Sequence, residues 1–368
     1  MKNFHIQGTP ATDTLSWFCS GLKNEFSRRG FEHEEDDTKC DSLQLVFNLI
    51  SKDRVRPFRR KSQATFVVSI LETRGQPFDI FTEVYPLLIR SLSNHLIYIN
   101  HQGDEMKVTF MTPEQGCYTL THRRTAGGDK DAHFFEKVFG RLEPLAMARL
   151  VINNHFDEDL ASELWEGCDV TSQLRESGKR LDELDLLPAP FPLENYLSDK
   201  DMRHLKKLYG IGGLSYGNLS ARQDEQHFWM SASGINKADM KEIGRDMLFI
   251  KGYDEENNQI EVSIPEGVQP KRASVDAIEH WMIYREHPEV GAIVHIHAWM
   301  DGIEATEINY PCGTYELAEN VAELIRKSED PARAVIGLKN HGLTITGPSL
   351  DEIFDRIDGK IIKQVPMS

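Results

Sequence analysis

Cysteine is scarce in this sequence and never falls into a pattern. Five residues (Cys19, Cys40, Cys117, Cys168 and Cys312) are scattered over 368 positions, odd in number and without a CxxC pair. That usage argues against a disulfide framework or a structural zinc cluster and fits reduced thiols in the cytoplasm. No run of about 18 apolar residues occurs, so no membrane-spanning helix is expected. The opening residues lack a basic start followed by an apolar stretch, so no secretion signal is expected either. Basic residues are the minority: 42 Lys and Arg against 58 Asp and Glu give a net charge of −16. Phosphate backbones demand basic surface, so nucleic acid is not an expected partner. A small anionic substrate, held by backbone amides and one or two cations, is still allowed.

What is present is a globular composition, 40% hydrophobic and 27% charged. A chain of this length is expected to form two domains. The clearest boundary is Leu186-Leu187-Pro188-Ala189-Pro190-Phe191-Pro192, where three prolines at alternate positions forbid a helix and favour an extended connector. The expectation is therefore a mixed α+β domain over 1–185, a Pro-rich linker over 186–193, and an α/β domain over 194–368.

In the first domain, strands are predicted over 43–50, 64–71, 95–99, 106–111 and 116–122, and helices over 15–29, 78–93 and 132–154. Its histidines show no ligand spacing. The basic run Arg56, Arg59, Arg60, Lys61 reads as a solvated loop. The second domain is more legible. A helix over 198–209 leads into a Gly-rich stretch, and a hairpin over 219–222 and 227–231 follows. Further strands are predicted over 247–251, 260–264, 291–298, 334–338 and 343–346, with helices over 275–286, 316–327 and 350–362. Helices interleaved with strands on short connections imply a central sheet covered by helices.

The strand around Ile293-Val294-His295-Ile296-His297 carries two imidazoles two residues apart, hence on one face. Taken alone, such a pair leaves metal binding and packing equally open. His341 lies in the turn Asn340-His341-Gly342, and three neutral imidazoles form a facial set suited to Zn²⁺ or another divalent ion. Asp276 opens a helix with His280 one turn on. In isolation that is an ordinary acid at a helix start, but beside a metal it could be a ligand or move a proton. The segments Ser215-Tyr216-Gly217-Asn218 and Ser231-Ala232-Ser233-Gly234 read either as anion-binding concavities or as plain turns.

In their order, Gly217-Asn218-Leu219-Ser220-x-Arg222, Ser231-Ala232-Ser233-Gly234, Asp276, His295-x-His297 and Asn340-His341-Gly342 resemble the class II aldolase/adducin family. The likeness covers roughly residues 194 to 362, and nothing comparable marks the N-terminal half. It implies a three-layer α/β/α domain whose Zn²⁺ is held by His295, His297 and His341. Asp276 would stand where the family places a glutamate acid/base, one methylene shorter. Ser215, Asn218, Ser233, Gly234 and Ser274 would fall where relatives bind a substrate phosphate, with Val275 replacing a usual serine. The span from His297 to Gly313 is short for a family tyrosine, leaving Tyr310 or Tyr315 as the nearest substitutes. The chain also stops soon after the last predicted helix. The implied activity is that of a metal-dependent lyase of aldolase type, acting on a small carbonyl compound such as a sugar phosphate through a metal-stabilised enediolate. Epimerase, dehydratase or decarboxylase variants and a non-catalytic adducin-like scaffold are the alternatives, and a homo-oligomer is the expected assembly.

Overall fold

The computed structural model describes residues 3–36, 43–60, 62, 65–75, 79–102, 105–113, 116–123, 128–186, 193–209 and 216–366. Most of the expected linker, 187–192, lies outside the described residues. The chain divides into two compact units, one of residues 1–147 with 191–210 and one of residues 148–190 with 211–366.

The first unit contains β1 (Asn3–Gln7), α1 (Asp13–Arg28), β2 (Glu32–His33), β3 (Leu45–Ile50), β4 (Phe66–Arg74), α2 (Ile80–Glu83), α3 (Tyr85–Arg90), β5 (His95–Gln102), β6 (Glu105–Thr112), β7 (Gly116–Arg123) and α4 (Gly128–Met147). Its sheet runs β2-β1-β3-β4-β5-β6-β7. The first five strands are mutually parallel, β6 is antiparallel to β5, and β7 is antiparallel to β6. The Thr12 hydroxyl caps α1 by accepting from Leu15 N at 3.1 Å. Phe26 on that helix packs against Phe4, Phe47 and Phe139, with ring centroids 5.0, 5.4 and 4.9 Å apart. The helix expected over 78–93 is broken at Val84, because Pro86 can donate no ladder hydrogen bond. The helix expected over 132–154 ends at Met147.

The second unit begins with β8 (Asn153–Asp157) and α5 (Asp169–Glu183). After α6 (Asp199–Tyr209), which belongs to the first unit, it continues with β9 (Gly217–Arg222), β10 (Phe228–Ser231), β11 (Met247–Asp254), β12 (Gln259–Ser263), α7 (Ala277–Glu286), β13 (Ala292–Ile296), β14 (Glu304–Ala305), α8 (Tyr315–Lys327), β15 (Val335–Leu338), β16 (Gly342–Gly347) and α9 (Leu350–Ile357). The nine-stranded sheet is ordered β14-β15-β16-β13-β9-β10-β11-β12-β8. Alternate residues of β13 feed two cores. Ile293 packs with α7 and α8, while Ala292, Val294 and Ile296 pack with α5 and α9. Period-two alternation thus gives a sheet with helices on both faces.

The expected span 1–185 and the first unit differ over residues 148–185. β8 pairs in parallel with β12, and Leu160, Leu174, Leu181 and Leu186 are buried in the same core as Trp229 and Val294. Burying each such leucine contributes about 1.5–3 kcal/mol, so together they rival a domain's whole net stability. A fragment starting at Ala148 should therefore unfold cooperatively on heating. One starting at Glu194, without β8 and α5, should give no comparable transition by calorimetry. Equal melting of the two fragments would refute this account of the core.

Candidate metal and carboxylate site

β13 lies between two antiparallel neighbours, with His295 opposite Asn218 of β9 on one side and Thr344 of β16 on the other. His295 shares the face of Ile293, so its ring points to the side covered by α7. His297 follows the strand end, its N–H donating to Tyr216 O at 3.1 Å. His341 sits in the β15–β16 hairpin. Asn340 takes the left-handed conformation at φ 60°, which asparagine tolerates better than most residues. His341 N donates to Leu338 O at 2.9 Å, closing the turn. Gly342 then passes so close to β13 that a Cβ there would lie 2.2 Å from Ile296 O, so only glycine lets this hairpin reach the strand end.

These elements bring the three imidazoles together, with one ligand-capable atom from each, all within 4.8 Å of one another. His295 Nε2 and His341 Nε2 are 3.2 Å apart, and their rings are nearly parallel. Nitrogens bound to one tetrahedral ion lie about 3.4 Å apart, so this donor set fits a divalent metal. Burial pushes His295 down to about 4 and His341 to about 3, and the nearby Asp276 carboxylate opposes both shifts. Both are therefore neutral at pH 7, the form a metal needs.

Asp276 is the residue just before α7, and it is buried. Its Oδ2 accepts from Asn218 Nδ2 at 2.6 Å and from Ser274 Oγ at 3.3 Å, and Oδ1 accepts the Cys312 thiol. Oδ2 also stands 4.0 Å from His295 Nε2. Burial alone would raise this carboxyl. The His295 ring and the Cys312 thiol more than offset that and hold it well below the usual carboxylate range. Asn218 additionally donates to Ser274 Oγ at 3.0 Å. The structure therefore gathers six of the predicted residues, His295, His297, His341, Asp276, Asn218 and Ser274. Ser233 and Gly234 are in the neighbouring turn, tied to this loop through Ser233 N to Arg272 O at 2.9 Å and the Ala232–Ala273 bridge. Ser215 lies outside the described residues.

Residues 202–300 match the family model of the Class II Aldolase and Adducin N-terminal domain. The C-terminal half carries a class II aldolase and adducin sequence signature. Methylthioribulose-1-phosphate dehydratase of Klebsiella pneumoniae subsp. pneumoniae is 22% identical over 172 residues, covering 39% of this chain and 79% of that relative. The enzyme of the same name from Parvibaculum lavamentivorans is 35% identical over 82 residues, 22% of this chain and 33% of the relative. Among solved structures, an L-fuculose 1-phosphate aldolase is similar at 21% identity with a TM-score of 0.35, over 52% of this chain and 81% of its own.

Three residues beside this class II aldolase-like site escaped sequence reasoning. Cys312 looked like one more unpatterned cysteine. Lys237 is buried, its Nζ 5.5 Å from the Tyr216 ring centroid, and burial pushes it down to about 8 against the pull of Asp276. Glu279, one turn along α7 from Asp276, looked like an ordinary helical acid. It is 2% exposed, accepts the Thr344 hydroxyl, and is pushed up to about 8 by burial and then by Asp276. A signal was available for Glu279 alone, since the (i, i+3) spacing places it on the Asp276 face.

An acid raised from its unfolded value to about 8 makes its full contribution to stability below about pH 4.5, and loses it progressively as pH rises through 8. Glu279→Gln keeps an acceptor for Thr344 and removes the titration. The variant should gain on the order of 2–4 kcal/mol over wild type at pH 8 and little at pH 4.5. Denaturant melts at the two pH values check this. A stability difference independent of pH would show that Glu279 is not protonated in the fold.

Proposed function

We propose that the chain is a metal-dependent lyase acting on a small carbonyl compound, with His295, His297 and His341 holding a divalent ion, most simply Zn²⁺, and Asp276 as acid/base. One observation carries this reading: three imidazoles, from the end of β13 and the β15–β16 turn, two of them held neutral by burial, meet beside an ionised, firmly hydrogen-bonded carboxylate. A divalent ion in such a triad supplies Lewis-acid polarisation of a carbonyl oxygen. The protein's own part is to keep a base in place. Asn218 and Ser274 hold Asp276 Oδ2, and Cys312 holds Oδ1, so the carboxylate enters the reaction ionised and already oriented.

Within this class, dehydration of a ketose phosphate gains support from the Klebsiella relative, a methylthioribulose-1-phosphate dehydratase. An anionic substrate group would meet Ser274, the Ser233-Gly234 turn and the cation of Lys237. The three-layer fold of class II aldolases, with the sheet between α7/α8 and α5/α9, belongs to the same reading. An adducin-like scaffold would have no need of the three histidines.

Purified protein should bear about one equivalent of metal per chain by elemental analysis, and His295→Ala should lose it. Asp276→Asn should keep the metal and lower kcat by about 10²–10⁴-fold. The assay panel is methylthioribulose 1-phosphate for dehydration and L-fuculose 1-phosphate for cleavage. Stoichiometric metal with turnover of either sugar supports the lyase. Protein without stoichiometric metal sinks it in favour of a binding role.

A further inference from the structure

Cys312 lies in the turn Pro311-Cys312-Gly313, which precedes α8 and is far from Asp276 in sequence. The turn is shaped to reach the start of α7. Gly313 has φ 77°, and a Cβ there would lie 2.7 Å from Val275 Cβ and 3.1 Å from Val275 O. Any larger residue would push the turn away from the very residue that precedes Asp276. The turn is also pinned from behind, where Gly313 O accepts from Val151 N at 2.9 Å and Tyr315 N donates to Arg149 O at 2.9 Å. Held this way, the Cys312 thiol donates to Asp276 Oδ1 while Asn218 and Ser274 donate to Oδ2.

The three donors are not equivalent. Asn218 and Ser274 both act on one oxygen, and that oxygen faces His295 at 4.0 Å. A carboxylate held through one oxygen can still swing about its terminal bond, whose torsion is broad and roughly two-fold. A donor on the other oxygen closes that freedom. Asp276 itself offers its helix no cap, since its side chain makes no hydrogen bond to the first turn of α7. Its orientation is therefore set from outside the helix.

We propose that Cys312 is a positioning residue: its thiol, carried by the Gly313 turn, fixes the plane of the Asp276 carboxylate and so determines which oxygen faces the histidines. The inference rests on Asp276 acting as the acid/base, but its first test does not depend on turnover. Crystal structures of the full chain should show the Asp276 carboxylate in one orientation in wild type. It should be rotated or in two conformers in Cys312→Ala, and restored in Cys312→Ser, which keeps a donor. Gly313→Ala should reproduce the Cys312→Ala orientation with the cysteine still present.

On whichever substrate turns over, Cys312→Ala should lower kcat about tenfold or more with KM nearly unchanged, and Cys312→Ser should recover most of it. Zinc titration of the same proteins separates this inference from the broader one. Cys312→Ala should bind as much metal as wild type, because the proposed ligand set is His295, His297 and His341 and does not include the thiol. An unchanged Asp276 orientation in Cys312→Ala overturns the positioning role, whatever the metal result. Absence of metal from every form overturns the lyase reading instead. Should a variant fail to fold, Cys312→Ser against wild type still decides, since loss of orientation despite a hydroxyl donor contradicts the proposal.

Discussion

Asn218, His295 and Thr344 stand side by side on β9, β13 and β16, and their register determines what the second unit can do. All three point to the face covered by α7. There Asn218 donates to Asp276 and Thr344 donates to Glu279, so each carboxyl on the first turn of the helix is met by the strand neighbour on one side of His295. A slip of one residue in either pairing would turn a member of this row to the opposite core and leave a buried carboxyl without its partner. The cost of that error, a buried charge on the Asp276 side or an unsatisfied polar group on the Glu279 side, helps keep the row in register. The histidine cluster depends on the same pairing, because β16 starts at the hairpin that carries His341.

The row also separates the two carboxyls chemically. Asp276 has three donors and three nearby imidazoles, His295, His341 and His280, and burial is overcome, so it remains ionised. Glu279 has one hydroxyl donor and the charge of Asp276 one turn away, and it stays protonated up to about pH 8. Two acids on one helix face thus hold opposite protonation states, a division set by environment and not by residue type. One negative charge faces the imidazoles instead of two. A second ionised carboxylate at that depth would be repelled by the first.

Much of the site could be read before the structure because its signals are local. Alternation along β13 put His295 and His297 on one strand end, and the Asn340-Gly342 pair marked a hairpin. Those inferences need only period two and turn chemistry. Element ends were less legible. The apolar run Leu150-Val151-Ile152 continues the pattern of α4, yet the backbone leaves the helix at Met147 because β8 gains a parallel partner in β12, about 100 residues away. The helix expected to reach 362 likewise stops at Ile357. The short, partly polar β1 was missed although it sits between β2 and β3, since its neighbours and not its own pattern make it a strand. Cys312 was illegible for the same reason. Only a folded turn brings a thiol to an aspartate 36 positions away.

That non-local dependence extends beyond the region shared with class II aldolases and adducins. The matched segment, residues 202–300, contains Asp276, His295, His297 and the two donors to Asp276 Oδ2, Asn218 and Ser274, but not the residues that anchor the loops around them. The Ala273 N–H that anchors the loop before Asp276 donates to Asn154 Oδ1 at 2.9 Å, and the Cys312 turn hangs on Val151 and Arg149. Both loops flanking the carboxylate are therefore buttressed by one upstream stretch, 149–154. A sequence comparison weights the shared motif residues, whereas both loops flanking Asp276 are anchored by residues outside the matched segment. With Asp276 as the proposed base, divergence in this buttress would alter proton transfer while all three histidines stay in place, because shifts well under an ångström in a base change proton-transfer rates. On the proposed reading, the three histidines constrain the class of chemistry, and the packing of 149–154 against the two loops constrains which member of that class can occur.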